Sequence, residues 1–280
     1  MKLIQKLAVV YLRLRFRLLG SFSSQKAAAK ALDLFCTPQE RLKKKPSKIF
    51  FTAEQLKFNL GELNIRGFRW NHNAGRKVLI IHGFESSIVN FDHYVPSLIK
   101  KGLEVLAFDA PAHGISDGKR ITAPLFADMI IKIHERYGPI TGFVGHSFGG
   151  LALSLALEQI AHDETYRAVL IAPATESTTA IDQFFELLQL NGVVRKEFDQ
   201  LITQIGGHPP EWYSIRRAIR NIKAQILWLH DERDLQTPLS DALKVKNDQR
   251  PNVTFVITRG LGHRKIYKDS QTVERVAEFL

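Results

Sequence analysis

The sequence predicts an α/β fold, a mostly parallel sheet with helices on both faces and a small helical cap. From residue 77 onward, short apolar runs (KVLIIHGF, LEVLAFDAP, TGFVGHSFG, RAVLIAPA, AQILWLHD and VTFVITRG) alternate with helical patterns. Continuous runs of Val, Ile, Leu and Phe suit strands buried on both faces, and the intervening segments are long enough for crossover helices. One interval, roughly residues 175–222, is too long for a simple crossover. It contains STTAIDQFFELLQL, RKEFDQLITQI and EWYSIRRAIRNI, separated by Asn191-Gly192 and by Gly206-Gly207-His208-Pro209-Pro210. Both breaks are turn signals, so the interval reads as two or three helices inserted above the sheet.

Ahead of the alternating pattern, IFFTAEQLKFNLGELNIRGFRWN alternates loosely between glycine breaks, as leading antiparallel strands do. Residues 49–280 thus form one body, and residues 1–48 a basic amphipathic N-terminal segment. Of the 39 Lys and Arg, 12 fall in residues 1–50 beside 2 acids, which leaves 27 bases against 26 acids in residues 51–280. The chain's +11 charge therefore belongs to its N-terminal part. Nucleic-acid binding is disfavoured, because the body has no basic patch interleaved with stacking aromatics.

Within the N-terminal segment, Leu3, Ile4, Leu7, Val10, Tyr11, Leu14 and Leu18 share one helical face, with Lys2, Lys6, Arg13 and Arg17 as a ridge beside it. A helix lying in a membrane interface has this pattern, and so does a helix packed on the body with its basic ridge in solvent. The expectation is reversible contact with anionic lipid through residues 1–30. The segment is too short and too charged to span a bilayer, and Arg13, Arg15 and Arg17 interrupt the apolar run a signal peptide needs. The single Cys36 excludes an internal disulfide framework and fits a reducing compartment such as the cytoplasm. No Cys/His cluster has zinc spacing and HExxH is absent, so neither metal nor cofactor is implied.

The chemistry centres on GFVGHSFGG, residues 142–150, where Gly145, Gly149 and Gly150 crowd around Ser147. Ser147 follows a predicted strand and precedes LALSLALEQI, a strong helical pattern. In that context G-x-S-x-G forms a sharp turn that projects the serine hydroxyl above the sheet, with the helix N-terminus aimed at developing negative charge. A serine attacks only if a base takes its proton, and the base needs an acid to fix its tautomer. AQILWLHD ends in Asp231 and is followed by ERDLQTP with Asp234, and after VTFVITRG comes His263; all lie at carboxyl ends of strands, where parallel sheets place their sites. Donors for an oxyanion would be the amides of Phe148 and, in the loop after an earlier strand, Phe84. His146 would point elsewhere on the turn, and His82 reads as a structural hydrogen-bonding group.

Over residues 50 to 280 the chain resembles the α/β-hydrolase superfamily. The matching stretches are HGF at 82–84, FDAPAHGISDG at 108–118, GHSFGG at 145–150, HDERDLQTP at 230–238 and GLGH at 260–263. The resemblance implies Ser147, Asp234 and His263 as a triad. Asp234 matches the family's acid-x-x-x-Pro loop, whereas Asp231, standing where many relatives have glycine, would hold the loop. It also implies Ala112 in place of one glycine of Asp-x-x-Gly-x-Gly-x-Ser, here Asp109, Ala112, Gly114 and Ser116, with Asp109 capping a turn. The expected activity is hydrolysis of an ester or thioester of a small acyl substrate through an acyl-enzyme. Peptide hydrolysis, acyl transfer and a non-catalytic binding role are the alternatives. Ile181, Phe184, Phe185, Leu188, Phe198 and Leu201 of the cap would line an acyl pocket or pack the cap on the sheet.

Overall fold

The computed structural model describes residues 3–41 and 44–280, with side chains from residue 6 onward. Lys2 and the side chains of Leu3 and Ile4 lie outside the described residues. Eight strands form one sheet in the order β1-β2-β4-β3-β5-β6-β7-β8. The hairpin of β1 (Glu54–Leu60) and β2 (Leu63–Trp70) is antiparallel and joins β4 (Leu103–Phe108) antiparallel. The other neighbours, β3 (Arg76–Ile81), β5 (Gly142–His146), β6 (Arg167–Ile171), β7 (Gln225–Asp231) and β8 (Val253–Thr258), run parallel. This is the α/β architecture the apolar runs predict.

Burial on both faces follows the two-residue period of the strands. Leu79 and Ile81 of β3, Leu170 of β6 and Trp228 of β7 enter one core with α4 (Ala123–Tyr137) and α5 (Phe148–Leu157). Val78 and Ile80, Val169 and Ile171, and Leu229 enter the opposite core with α3 (Val95–Lys100) and α11 (Ser270–Phe279). The helices carry the matching period. In α4, Phe126, Met129, Ile130 and Ile133 are buried, and Thr122 caps its N-terminus by accepting from the Leu125 amide.

The long interval after β6 contains α6 (Ser177–Leu188) and α7 (Gly192–Gly206), followed by the one-turn α8 (Ile215–Ala218). Asn191 starts α7 by accepting from the Val194 amide, and left-handed Gly207 ends it. Two N-terminal helices, α1 (Leu3–Phe22) and α2 (Ser24–Cys36), lie against α6 and α7. Phe16, Ala27, Ala31 and Leu32 join Ile181, Phe185, Leu188, Val194 and Phe198 in a third core, separate from the two beside the sheet. The chain's start and the insertion after β6 thus build the cap together. The remaining helices are α9 (Leu239–Asn247), between β7 and β8, and α10 (Gly262–Lys265), directly after β8.

Candidate active site

The crowding of glycines around Ser147 has a steric cause. Ser147 adopts φ 54°, ψ −124°, a strained conformation for a residue with a side chain. Its amide donates to the Ile171 carbonyl of β6, and its carbonyl accepts from the Gly150 and Ala174 amides, which over-determine the turn. A Cβ on Gly149 would strike the His82 carbonyl oxygen, and one on Gly150 would stand 2.7 Å from Pro173 Cβ. Glycine is needed there because α5 starts in contact with the strand ends on either side of β5.

The strand-end loops bring the predicted partners to this turn. Ser147 Oγ is 3.0 Å from His263 Nε2, and His263 Nδ1 is 2.8 Å from Asp234 Oδ2. His263 belongs to α10, and Asp234 to the turn after β7. Of the two candidate acids, Asp234 alone faces the histidine. Asp231 accepts from the Arg233 and Leu261 amides and from Thr258 Oγ1, tying the β7 loop to the segment that carries His263.

Asp234 is itself tightly held. One oxygen accepts from the Gln236 and Thr237 amides, and the other accepts from Thr237 Oγ1 as well as from His263. Burial alone would raise its pKa, but the hydrogen bonds from His263 and Thr237 outweigh that and keep the carboxyl below the ordinary range. Thr237 was not singled out from the sequence. Its only local signal is that it stands three residues after Asp234, the spacing of a turn closed by an aspartate. Beneath it, His230 takes the Trp228 indole N–H on Nδ1 and donates from Nε2 to the Thr237 carbonyl.

Three further histidines support the site without reaching its hydroxyl. His146 packs 4.9 Å from the His263 ring, with Nε2 on the His263 carbonyl, and burial pushes its pKa down to about 3. His82 donates from Nδ1 to the Gly83 carbonyl and accepts the Ala110 amide on Nε2; burial lowers it to about 4. His113 accepts the Glu85 amide, bracing the loop that carries Phe84, and burial lowers it to about 3. Asp109 accepts from Ser87 Oγ and from the Ile88 and Ile115 amides, the turn-holding position expected for it. Ala112, where the resembling pattern has glycine, sits at φ 67°.

Above Ser147 lies an apolar cavity of about 700 Å³. Phe84 and Phe148, whose amides are the expected oxyanion donors, line its base beside Ser147, with their rings edge to face at 6.1 Å. As the first residue of α5, Phe148 has an amide without an intrahelical acceptor. Ile181, Phe184, Leu188 and Leu201 line the cavity, whereas Phe185 and Phe198 are buried in the cap's own core. The N-terminal helices also contribute to the wall, through Val9 and Leu12 of α1 and Leu32 of α2. Among the described residues no cluster of His, Cys, Asp and Glu could hold a metal ion.

A mostly parallel sheet of this order, with a serine on a strained strand-to-helix turn facing a histidine and an aspartate from later strand ends, defines an α/β hydrolase. More narrowly, the chain belongs to the hydrolase family described as serine aminopeptidase, S33, whose model matches residues 72–224. It is 24% identical over 200 residues to a serine hydrolase-like protein of Dictyostelium discoideum and 36% identical over 93 residues to the uncharacterized hydrolase YugF of Bacillus subtilis. These alignments cover 65% and 31% of this chain but only 51% and 34% of those proteins. Among solved structures, the Pyrococcus furiosus esterase Pf2001 superposes with a TM-score of 0.64 at 20% identity, covering 88% of this chain and 97% of the esterase. Mouse α/β-hydrolase domain-containing protein 10 superposes at 0.59 with 18% identity, covering 80% of this chain and 96% of its own. Likeness at this level concerns the fold.

Proposed function

We propose that the protein is a serine hydrolase acting on carboxylic esters, or thioesters, with an apolar acyl group. The observation that carries this is the continuous chain Ser147–His263–Asp234, at 3.0 and 2.8 Å, opening into an apolar cavity. His263 Nε2 takes the Ser147 proton as Oγ attacks the acyl carbonyl, and Asp234 holds the ring with Nδ1–H toward the carboxylate. The amides of Phe84 and Phe148 receive the oxyanion. The proton on His263 then passes to the departing alcohol or thiol. Water, deprotonated by the same nitrogen, attacks the acyl-serine, and Ser147 regains its proton as the acid leaves.

The cavity lining favours esters over the amino-terminal peptides suggested by the family's description. A substrate with a free α-ammonium group needs a carboxylate in the pocket, since an unpaired buried charge is costly. Among the described residues of the lining Asp33 is the only acid, and it is ion-paired with Arg120. The remaining walls are aliphatic or aromatic for the most part, within the usual ligand-pocket range of about 300–1,000 Å³.

The test is covalent labelling with a fluorophosphonate probe, followed by a panel of p-nitrophenyl esters of rising chain length beside aminoacyl-naphthylamides. Wild type should be labelled and Ser147→Ala should not, with kcat/KM rising along the ester series and negligible turnover of the amides. Labelling of both proteins, or turnover of the amides alone, would refute the proposal.

A further inference from the structure

Helix α1 has two apolar faces. The inner one buries Phe16, half-buries Leu12 and Leu19, and lends Val9 and Leu12 to the cavity wall. The outer one exposes Leu7 (61%), Val10 (50%), Tyr11 (63%), Leu14 (58%), Leu18 (65%) and Phe22 (87%). This is an unbroken stripe at helical spacing, with no protein against it, and isolated exposed apolar residues do not produce such a pattern. At 100° per residue, exposed Lys6 and Arg17 flank the stripe on one side and exposed Arg15 on the other.

The cap sets where this helix sits. Arg13 Nε donates to the Leu187 carbonyl at 2.9 Å, fixing α1 to the end of α6. Leu187 and Ile205 are 43% and 65% exposed and also line the cavity, so the mouth of the acyl pocket lies beside α1. Taking the proposed esterase reading as given, we infer that α1 docks on a membrane surface carrying anionic lipid and presents the cavity mouth to esters held in that bilayer.

Charge selects this occupant over a second copy of the chain. The stripe is bordered by bases on both sides, so pairing two stripes would bring like charges together, whereas an anionic surface complements them. Spanning is excluded by the same bases, and no described helix is long and apolar enough to cross a membrane. The arrangement matches a helix lying in the interface plane, apolar side down, with cationic side chains at headgroup level.

The test uses the full chain and vesicles of phosphatidylcholine with or without phosphatidylglycerol. Wild type should co-sediment with the mixed vesicles and detach as salt is raised. The variant Lys6→Gln/Arg15→Gln/Arg17→Gln should bind about a hundredfold more weakly, at roughly fivefold per charge. Leu14→Glu/Leu18→Glu, which leaves every buried residue in place, should abolish binding and slow hydrolysis of a vesicle-borne long-chain ester. It should leave turnover of a soluble p-nitrophenyl ester unchanged. Failure of the wild type to bind while it hydrolyses the soluble ester would overturn the inference alone. So would a wild type that sediments as a dimer made monomeric by the glutamates. Absence of turnover with binding intact would overturn only the esterase reading.

Discussion

Replacing Asp234 with asparagine separates the two aspartates of the β7 loop. In the native turn, one Asp234 oxygen accepts two backbone N–H groups, from Gln236 and Thr237, and the other faces Thr237 Oγ1 and His263 Nδ1. An asparagine can keep the first pair only by placing its carbonyl there, which turns its NH2 toward His263. Nδ1 must then accept, so the ring carries its proton on Nε2 and cannot take one from Ser147. The backbone is unchanged and the tautomer is wrong. In a serine protease the same exchange lowers kcat by about 10⁴, equivalent to about 5.5 kcal/mol of barrier, and a loss of that order is expected here. Asp231→Asn instead leaves one acceptor oxygen where two are used, so it loses either the bond from the Arg233 amide or the pair from Thr258 and Leu261 that fixes the segment before His263. It should cost about 1–3 kcal/mol of stability and a smaller factor in kcat. The assay is p-nitrophenyl ester turnover with urea unfolding for both variants. A larger kcat loss for Asp231→Asn than for Asp234→Asn would refute the assignment of roles.

Acid should destabilise the fold well above the range where carboxylates titrate. His82, His113 and His146 are buried and neutral, with pKa values of about 4, 3 and 3, so below about pH 6.5 the unfolded chain takes up protons that the folded one refuses. Their stabilisation is complete above that pH and is lost as pH falls toward those values. At about pH 5 each histidine costs on the order of 2 kcal/mol. Urea midpoints near pH 7.5 and pH 5 test this, and equal midpoints would contradict it. Ala112→Gly should raise stability by about 1 kcal/mol, since a left-handed alanine costs about 1–2 kcal/mol and glycine's extra freedom when unfolded returns only part of that. A lower midpoint for this variant would show that the alanine side chain contributes more by packing than its backbone costs.

Features encoded within a few residues were legible in the sequence. The apolar runs became the parallel strands, the GELN break became the β1–β2 turn, and the glycines around Ser147 mark where α5 meets the ends of β3 and β6. Asp234 and His263 followed from strand-end position and family resemblance, and the structure brings both to Ser147. What escaped depends on contacts between distant segments. Periodicity shows that Leu7, Val10, Leu14 and Leu18 share a face, and equally that Val9, Leu12, Phe16 and Leu19 do, but not which of the two meets the cap. It is the second. Likewise Phe185 and Phe198 carry the same apolar signal as Phe184, yet α1 and α2 cover them and leave Phe184 to the cavity. Thr237 and His230 stayed hidden because support of a carboxylate is a matter of direction, which residue type does not encode.

The cap's divided origin has a consequence for synthesis. Helices α1 and α2 leave the ribosome before the surface they cover, which lies on α6 and α7 and begins about 140 residues after α2 ends. At about 5–20 residues per second, that is a wait of roughly 7–30 seconds. During it, both the inner face that will meet the cap and the outer stripe are bare, on a nascent segment, residues 1–50, that holds 12 Lys and Arg against 2 acids. A helix pair in that state is open to chaperones or to any nearby lipid surface well before Ser147 and His263 meet. The order in which the chain is made therefore gives its N-terminal helices the opportunity to find a surface before they acquire a cap.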